Sequence, residues 1–292
     1  MRPLNPEDPS FFARWTSRIA LFSVGVLATS LVLHRLFSLP TPVALNLAGV
    51  AFAGAGLALL LAFIAAIGVW RTGRPGTSRI VFGTLVSLAL LLWPLVYVPK
   101  YERLPKISDV TTDPVTPPSF GSLAKMRGPG TNGTDYPGER SALAQAAAYP
   151  DIEPLMVNRS SEEAFALAAD AVRRLKMDIS RQQAPDPDQQ QSGVLEIVDR
   201  TMVVGFYDDV VIRVAGDDDN ARIDVRSASR YGRHDLGRNA DRVRMILKEI
   251  VTRLESVVPV AKPKKEIESK KAVEKSVKRR SRRSRRSRRR RR

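Results

Sequence analysis

Residues 224–239, DVRSASRYGRHDLGRN, place Arg226, Arg230, Arg233 and Arg238 among the hydroxyls of Ser227 and Ser229, the amide of Asn239, and His234 beside Asp235. Guanidinium forks and hydroxyls at this density suit a phosphate or a carboxylate, which arginine grips in a bidentate way. They suit the protein's own carboxylates equally, and Asp208, Asp209, Asp224, Asp235 and Asp241 are close in the chain. Two readings therefore stand side by side: a ligand site built from Arg226, Ser227, Ser229, Arg230, Arg233, Arg238 and Asn239, or an internal ion-pair lattice that needs no ligand. Catalysis would use His234 as acid or base with Asp235 beside it. No nucleophile and no ligand spacing accompany that pair, so both are weak catalytic candidates and the chain reads as a binder rather than an enzyme. Neither Asp208-Asp209 nor Asp217 to Asp219 has the spaced oxygen pattern of a calcium loop. The chain has no cysteine, which excludes thiolate catalysis, disulfides and Cys-based zinc sites. No metal and no cofactor is expected.

The elements that must position these side chains follow from periodicity. With Ile223 and Val225 pointing into a core, Asp224, Arg226, Ala228 and Arg230 point the other way. Arg226 and Arg230 then stand about 13 Å apart along a strand. Gly232 breaks the strand, and Asp235 or Asn239 can cap a following helix, whose free N–H groups attract anions. Upstream, Ser160 with Glu163 three positions on, followed by Phe165, Ala168, Val172 and Leu175, predicts a capped helix over 161–176. Short apolar or alternating runs predict strands over 194–198, 202–207, 210–214 and 222–227, the last two joined by a turn at Gly216 to Asn220. Val243, Ile246, Leu247, Ile250, Val251 and Leu254 mark a closing amphipathic helix. Consecutive antiparallel strands with a helix before and after predict an α+β domain over 149–255, both helices packing on one face of the sheet.

The N-terminal third has a different solvent. Apolar runs over 19–37, 43–70 and 80–98 each approach the roughly 20 residues a bilayer core requires and contain no acidic residue, so 1–98 is expected to be a three-span membrane domain. Arg2, Arg14 and Arg18 precede the first run, and Arg71, Arg74 and Arg79 fill the second loop, whereas residues 38–42 carry no charge. The positive-inside rule then predicts the N-terminus and the second loop in the cytoplasm and everything after the third span outside. Trp15, Trp70, Trp93 and Tyr97 fall at span ends, as interfacial aromatics do. Gly49, Ala51, Ala53 and Ala55 allow close helix packing, within the chain or between copies in a homo-oligomer.

Seven prolines and five glycines over 99–148 predict a linker or an irregular apron over the next domain. Beyond 256 the composition changes again. Residues 262–292 hold 18 Lys and Arg against three Glu, so +15 of the net +17 lies there, ending in KRRSRRSRRSRRRRR. Such a segment is expected to be disordered and to meet polyanions: lipid headgroups or envelope polymers outside the cell, nucleic acid if it is cytoplasmic.

Three blocks, YPDIEPL (149–155), RTMVVGFYDDVVIRV (200–214) and DVRSASRYGRHDLGRNADRV (224–243), resemble the domain of unknown function 1499 family over 149–254. That family occurs in bacterial membrane-attached proteins and in some plastid ones, and the three-span portion resembles its longer bacterial members. Several members carry a cysteine near the domain start and this chain has none, which counts against a redox role. The resemblance implies a folded unit ending near Leu254 and makes the Arg/Ser/Gly block a family signature, without implying a reaction. The function expected is that of a membrane protein whose extracytoplasmic domain binds an anionic ligand or envelope partner; a membrane-tethered nucleic-acid binder and a His234/Asp235 hydrolase are the alternatives.

Overall fold

Helices α1 (Phe11–Leu36), α2 (Thr41–Thr72) and α3 (Thr77–Leu92) open the computed structural model, which describes residues 10–186, 188–201 and 204–256. After α3 a 3-10 turn, Trp93–Tyr97, leads into the short α4 (Val98–Arg103), and the apolar stretch Thr77–Arg103 counts as one span. All three are long and apolar enough to cross a membrane. Their buried faces are small: Ala44, Ala51, Ala55, Ala58, Ala62 and Ala65 of α2 recur at helical spacing, while Phe22, Phe63 and Leu85 point outward. This is the reverse of a water-soluble bundle, because lipid solvates the large side chains and small ones let backbones approach. A Cβ at Gly83 would lie 2.6 Å from the Thr16 methyl, which marks how closely α1 and α3 pack. Of the small residues singled out on span two, Ala51 and Ala55 are buried inside the bundle, and Gly49 and Ala53 are exposed.

Six antiparallel strands follow: β1 (Asp109–Thr111), β2 (Leu155–Val157), β3 (Asp178–Gln183), β4 (Gly193–Arg200), β5 (Tyr207–Gly216) and β6 (Ala221–Ser229). The order is β1-β6-β5-β4-β3, and β2 shares the outer edge of β6 with β1. Four further helices complete the domain: α5 (Ser122–Met126), α6 (Glu139–Ala148), α7 (Ser161–Arg174) and α8 (Arg238–Ser256). The expected capped helix is α7, with the Glu163 N–H donating to Ser160 Oγ at 3.2 Å. The β5–β6 turn closes through Asp217 Oδ1, which accepts from the N–H groups of Asp219 and Asn220.

Leu195 and Ile197 of β4, Val210, Ile212 and Val214 of β5, and Ile223 and Val225 of β6 share one buried face. There α7 packs across the central strands, and Arg242 of α8 reaches Asp199, Asp208 and Ser227. The opposite face carries Glu196, Val211, Arg226 and Ala228. Water does not cover it. Phe120 and Leu123 pack on Val211 and Ala228, so the segment expected as a linker over 99–148 is part of the domain, supplying β1, α5 and α6. Its prolines and glycines forbid long elements without forbidding burial, and its backbone finds partners on the sheet. Gln145 of α6 shows how: its amide accepts from the Thr111 N–H at 3.0 Å and donates to the Thr111 carbonyl at 2.7 Å, acting as one residue of a strand along the β1 edge.

Two strand expectations differ from the structure. In the run expected over 202–207, Met202 and Val203 lie outside the described residues. Residues 204–206 form a turn in which Gly205 adopts φ 83° and the Thr201 N–H donates to the Phe206 carbonyl, and Tyr207 begins β5. The unexpected β3, DISRQQ, is an edge strand with mostly exposed side chains, so no apolar alternation betrays it. Arg230 also falls one residue beyond β6. The basic tail, from 257 onward, lies outside the described residues.

The domain meets the bundle at the end of α1. Arg200 donates to the carbonyls of His34 at 3.0 Å and Arg35 at 3.3 Å, and Arg35 donates back to the Thr201 carbonyl at 3.3 Å. A helix C-terminus leaves carbonyls without intrahelical donors and carries partial negative charge, which is why a guanidinium fits there.

Candidate functional site

Arg226, the first arginine of the signature block, is 2% exposed. Its Nε and Nη2 donate to the two oxygens of Asp109 at 3.0 and 2.7 Å, and its remaining N–H groups reach the carbonyls of Pro118 and Thr134, both at 2.9 Å. Phe120 covers the guanidinium plane with its ring centre 4.5 Å away. A charge taken this far out of water is tolerable only when paired and well hydrogen-bonded, and Arg226 has a counter-charge and four hydrogen bonds. Arg230 forks onto Asp209, whose other side accepts from Arg127 at 2.7 Å. Further along the same face Asp113 and Asp224 jointly hold Arg213 and Arg222. Burial works to raise the Asp113 carboxyl, but the Thr116 hydroxyl and N–H, Arg222 and the Val115 N–H outweigh it and hold it below its ordinary value of 3.8. Glu196 behaves alike: burial raises it, and the Ser122 hydroxyl with the N–H groups at the start of α5 brings it below 4.5.

A second polar cluster lies on the helix-covered face. Asn239 accepts from Ser227 Oγ at 2.7 Å and from Arg242 at 2.9 Å, and donates to Ser229 Oγ and the Ser108 carbonyl, both at 3.0 Å. Arg242 spans Asp199 and Asp208 at 2.7 and 2.6 Å. Asp235 accepts from the N–H groups of Gly237 at 2.8 Å and Asn239 at 2.9 Å, so the start of α8, a potential anion site, is served by the protein's own carboxylate. Burial raises the Asp235 carboxyl despite those bonds. The ring of His234 is engaged on both sides. Its Nε2 faces the Tyr101 carbonyl at 3.1 Å and its Nδ1 faces the Leu236 N–H at 2.9 Å, which requires the neutral tautomer protonated on Nε2. Among the described residues no three His, Asp or Glu side chains converge as metal ligands.

The block that looked like one patch is therefore divided. Arg226 and Arg230 serve the apron face, Ser227, Ser229 and Asn239 serve the helix face, and Arg233 and Arg238 are exposed without a carboxylate partner among the described residues. Arg233 lines a cleft of about 450 Å³ with Lys106, Ser108, Pro137, Arg140 and Ser141. Lys106 and Arg140 likewise have no carboxylate partner among the described residues; the Lys106 ammonium rests over the Tyr101 ring at 5.2 Å. Neither residue was a sequence candidate. Both come from the Pro/Gly-rich segment, where isolated basic residues give no signal, and the cleft exists only because α6 folds back beside the loop after β6.

A family model described as "Protein of unknown function (DUF1499)" matches residues 109–250. The folded domain is thus similar to that family, over a match that takes in just under half of the 292 residues. The DUF1499 match begins at β1, forty residues before the resemblance read from the sequence blocks, and so takes in Asp109, the partner of Arg226. The three apolar helices before it fit the long form of the family with N-terminal spans. A comparison with curated proteins finds no match.

Proposed function

We propose that this protein is a membrane-anchored binding module whose domain takes a phosphate- or carboxylate-bearing ligand in the cleft of Lys106, Arg140 and Arg233. One observation carries this reading: three cations line a single cleft with no carboxylate partner among the described residues, in a domain where Arg213, Arg222, Arg226, Arg230 and Arg242 are all paired. The hydroxyls of Ser108 and Ser141 supply neutral hydrogen-bonding groups beside them, and Ile107 and Ala144 form an apolar floor. Such a mixture of charge and short apolar wall suits a small anion with a carbon skeleton better than a flat polymer. With both nitrogens of His234 engaged and Asp235 occupied at the start of α8, the residues considered for hydrolysis act in structure instead.

The basic flanks of spans one and two support an orientation in which the cleft lies on the outer side of a bacterial inner membrane, and the tail after 256 would add contact with lipid headgroups or other polyanions there. Titration of the detergent-solubilised full chain with inorganic pyrophosphate at low ionic strength tests the cleft. Saturable binding that weakens about tenfold or more in Arg140→Gln/Arg233→Gln is expected, from the loss of two charge-assisted hydrogen bonds. The tail contributes equally to both proteins, so equal binding would sink the assignment. Reporter fusions after Pro99 and after Leu254 test the orientation, and cytoplasmic signal at both would make the Arg-rich tail a nucleic-acid contact instead.

A further inference from the structure

A second cavity, of about 430 Å³, lies where the domain rests on the membrane bundle. Trp93 and Tyr97 from the end of the third span form one wall, Phe206 and Leu236 from the domain form another, and His234 and Arg238 bring the polar groups. Directly below, a groove of about 420 Å³ runs between α1 and α3, lined by Val24, Leu27, Leu31, Val86, Leu90 and again Trp93. The indole is common to both. An apolar groove along the spans and a mixed cavity thus meet at one side chain, at the level where interfacial aromatics mark the headgroup boundary.

Among the described residues the polar end has one charge without a carboxylate partner. Asp208 lines the cavity but is held by Arg242 at 2.6 Å, and Asp235 is occupied by two backbone N–H groups. Arg238 is exposed and has no carboxylate among the described residues. It is also the first residue of α8, where the helix macrodipole disfavours a cation, so helix stability does not account for it. Leu236, which lines the same cavity, holds φ 56°, a left-handed conformation that costs a branched residue energy. The preceding turn is held by His234, whose Nδ1 accepts the Leu236 N–H.

We infer that these two cavities form one site for an anionic glycerophospholipid of the surrounding bilayer, an acyl chain lying in the α1/α3 groove past Trp93 and the phosphate facing Arg238. The charge is complementary, the groove lies between two membrane helices, and the indole of Trp93 lines both the groove and the polar cavity. The site is independent of the cleft at Lys106, Arg140 and Arg233. It makes the lipid a third component of the junction that Arg200 and Arg35 already tie together.

Trp93 is the reporter that tests it. Trp15→Phe with Trp70→Phe leaves it as the only tryptophan of the full chain, which is then reconstituted in vesicles of phosphatidylcholine with bromine-labelled phosphatidylglycerol or, at equal mole fraction, bromine-labelled phosphatidylcholine. The anionic lipid is expected to quench Trp93 with a relative binding constant about fivefold above that of the zwitterionic one, the worth of one basic residue near a membrane surface. Arg238→Gln is expected to remove most of that preference, and Arg140→Gln to leave it intact. Equal quenching by the two lipids overturns the site. So does a preference that persists in Arg238→Gln, which would assign it to the general attraction of the basic tail.

Discussion

On the apron face of the sheet Arg226 is enclosed by Asp109, the Pro118 and Thr134 carbonyls and Phe120, whereas Arg233, seven positions later, stands exposed at a cleft with Lys106 and Arg140. The residue type is the same and the sequence neighbourhood is the same. What differs is whether the fold delivers a carboxylate. Arg226 gets one because β1 pairs with β6 in a register that sets Thr111 opposite Arg226 and brings Asp109 to the same face. Arg233 lies beyond the strand, where the nearest chain, the loop before α6 and its first turn, brings another arginine instead. The comparison teaches that a cation buried by the fold must be answered by the fold, and that a set of unanswered cations is where a ligand question begins.

Removing a partner on the enclosed side should have the largest effect. Asp109→Ala leaves the Arg226 guanidinium buried without its counter-charge, and the domain should lose about 3–5 kcal/mol of stability, read as a lowered thermal transition of the detergent-solubilised chain. Replacing both members, Asp109→Leu with Arg226→Met, should recover most of that loss, because an apolar pair avoids the desolvation cost. Failure to recover would mean that the Pro118 and Thr134 carbonyls, left without donors, matter more than the ion pair. Gln145→Ala comes next. It strands both backbone groups of Thr111 at the β1 edge and should cost about 1–3 kcal/mol, with faster amide exchange at Thr111 as a local readout.

Acid should separate the two regions further. Asp113 and Glu196 sit below their ordinary values of 3.8 and 4.5 in the folded protein, so the unfolded chain takes up protons first as pH falls. Their contribution is complete above those values and is lost as pH drops through the lower folded ones. A denaturation series from neutral pH downward should show this loss, and Asp113→Asn with Glu196→Gln should flatten it; an equally steep loss in that variant would put the acid sensitivity elsewhere. The smallest effect on stability belongs to the cleft. Arg140→Gln/Arg233→Gln should change the thermal transition by less than about 0.5 kcal/mol, as exposed substitutions do, while anion binding falls. A clear destabilisation would show that the cleft cations are structural after all.

Several features were legible because they depend on local pattern. Three apolar runs gave three spans, the Ser160/Glu163 box gave the start of α7, and alternation gave β4, β5 and β6. β3 escaped because an exposed edge strand has no core face to imprint on its sequence, and β1 because three residues within a Pro/Gly-rich segment carry no period. The site was half legible. Arg233 and Arg238 stood in the signature block, but Lys106, Arg140 and Asp109 lie about a hundred residues upstream in a segment that reads as a linker.

What the sequence determined by itself was the solvent of each part and the existence of a charged strand-turn-helix corner, since hydrophobic length and period are properties of contiguous residues. Only the tertiary structure decided which arginines of the signature block are consumed and which have no carboxylate partner among the described residues. A guanidinium is neutralised by whatever carboxylate arrives within hydrogen-bonding distance, and for Arg226 that carboxylate, Asp109, comes from 117 positions away.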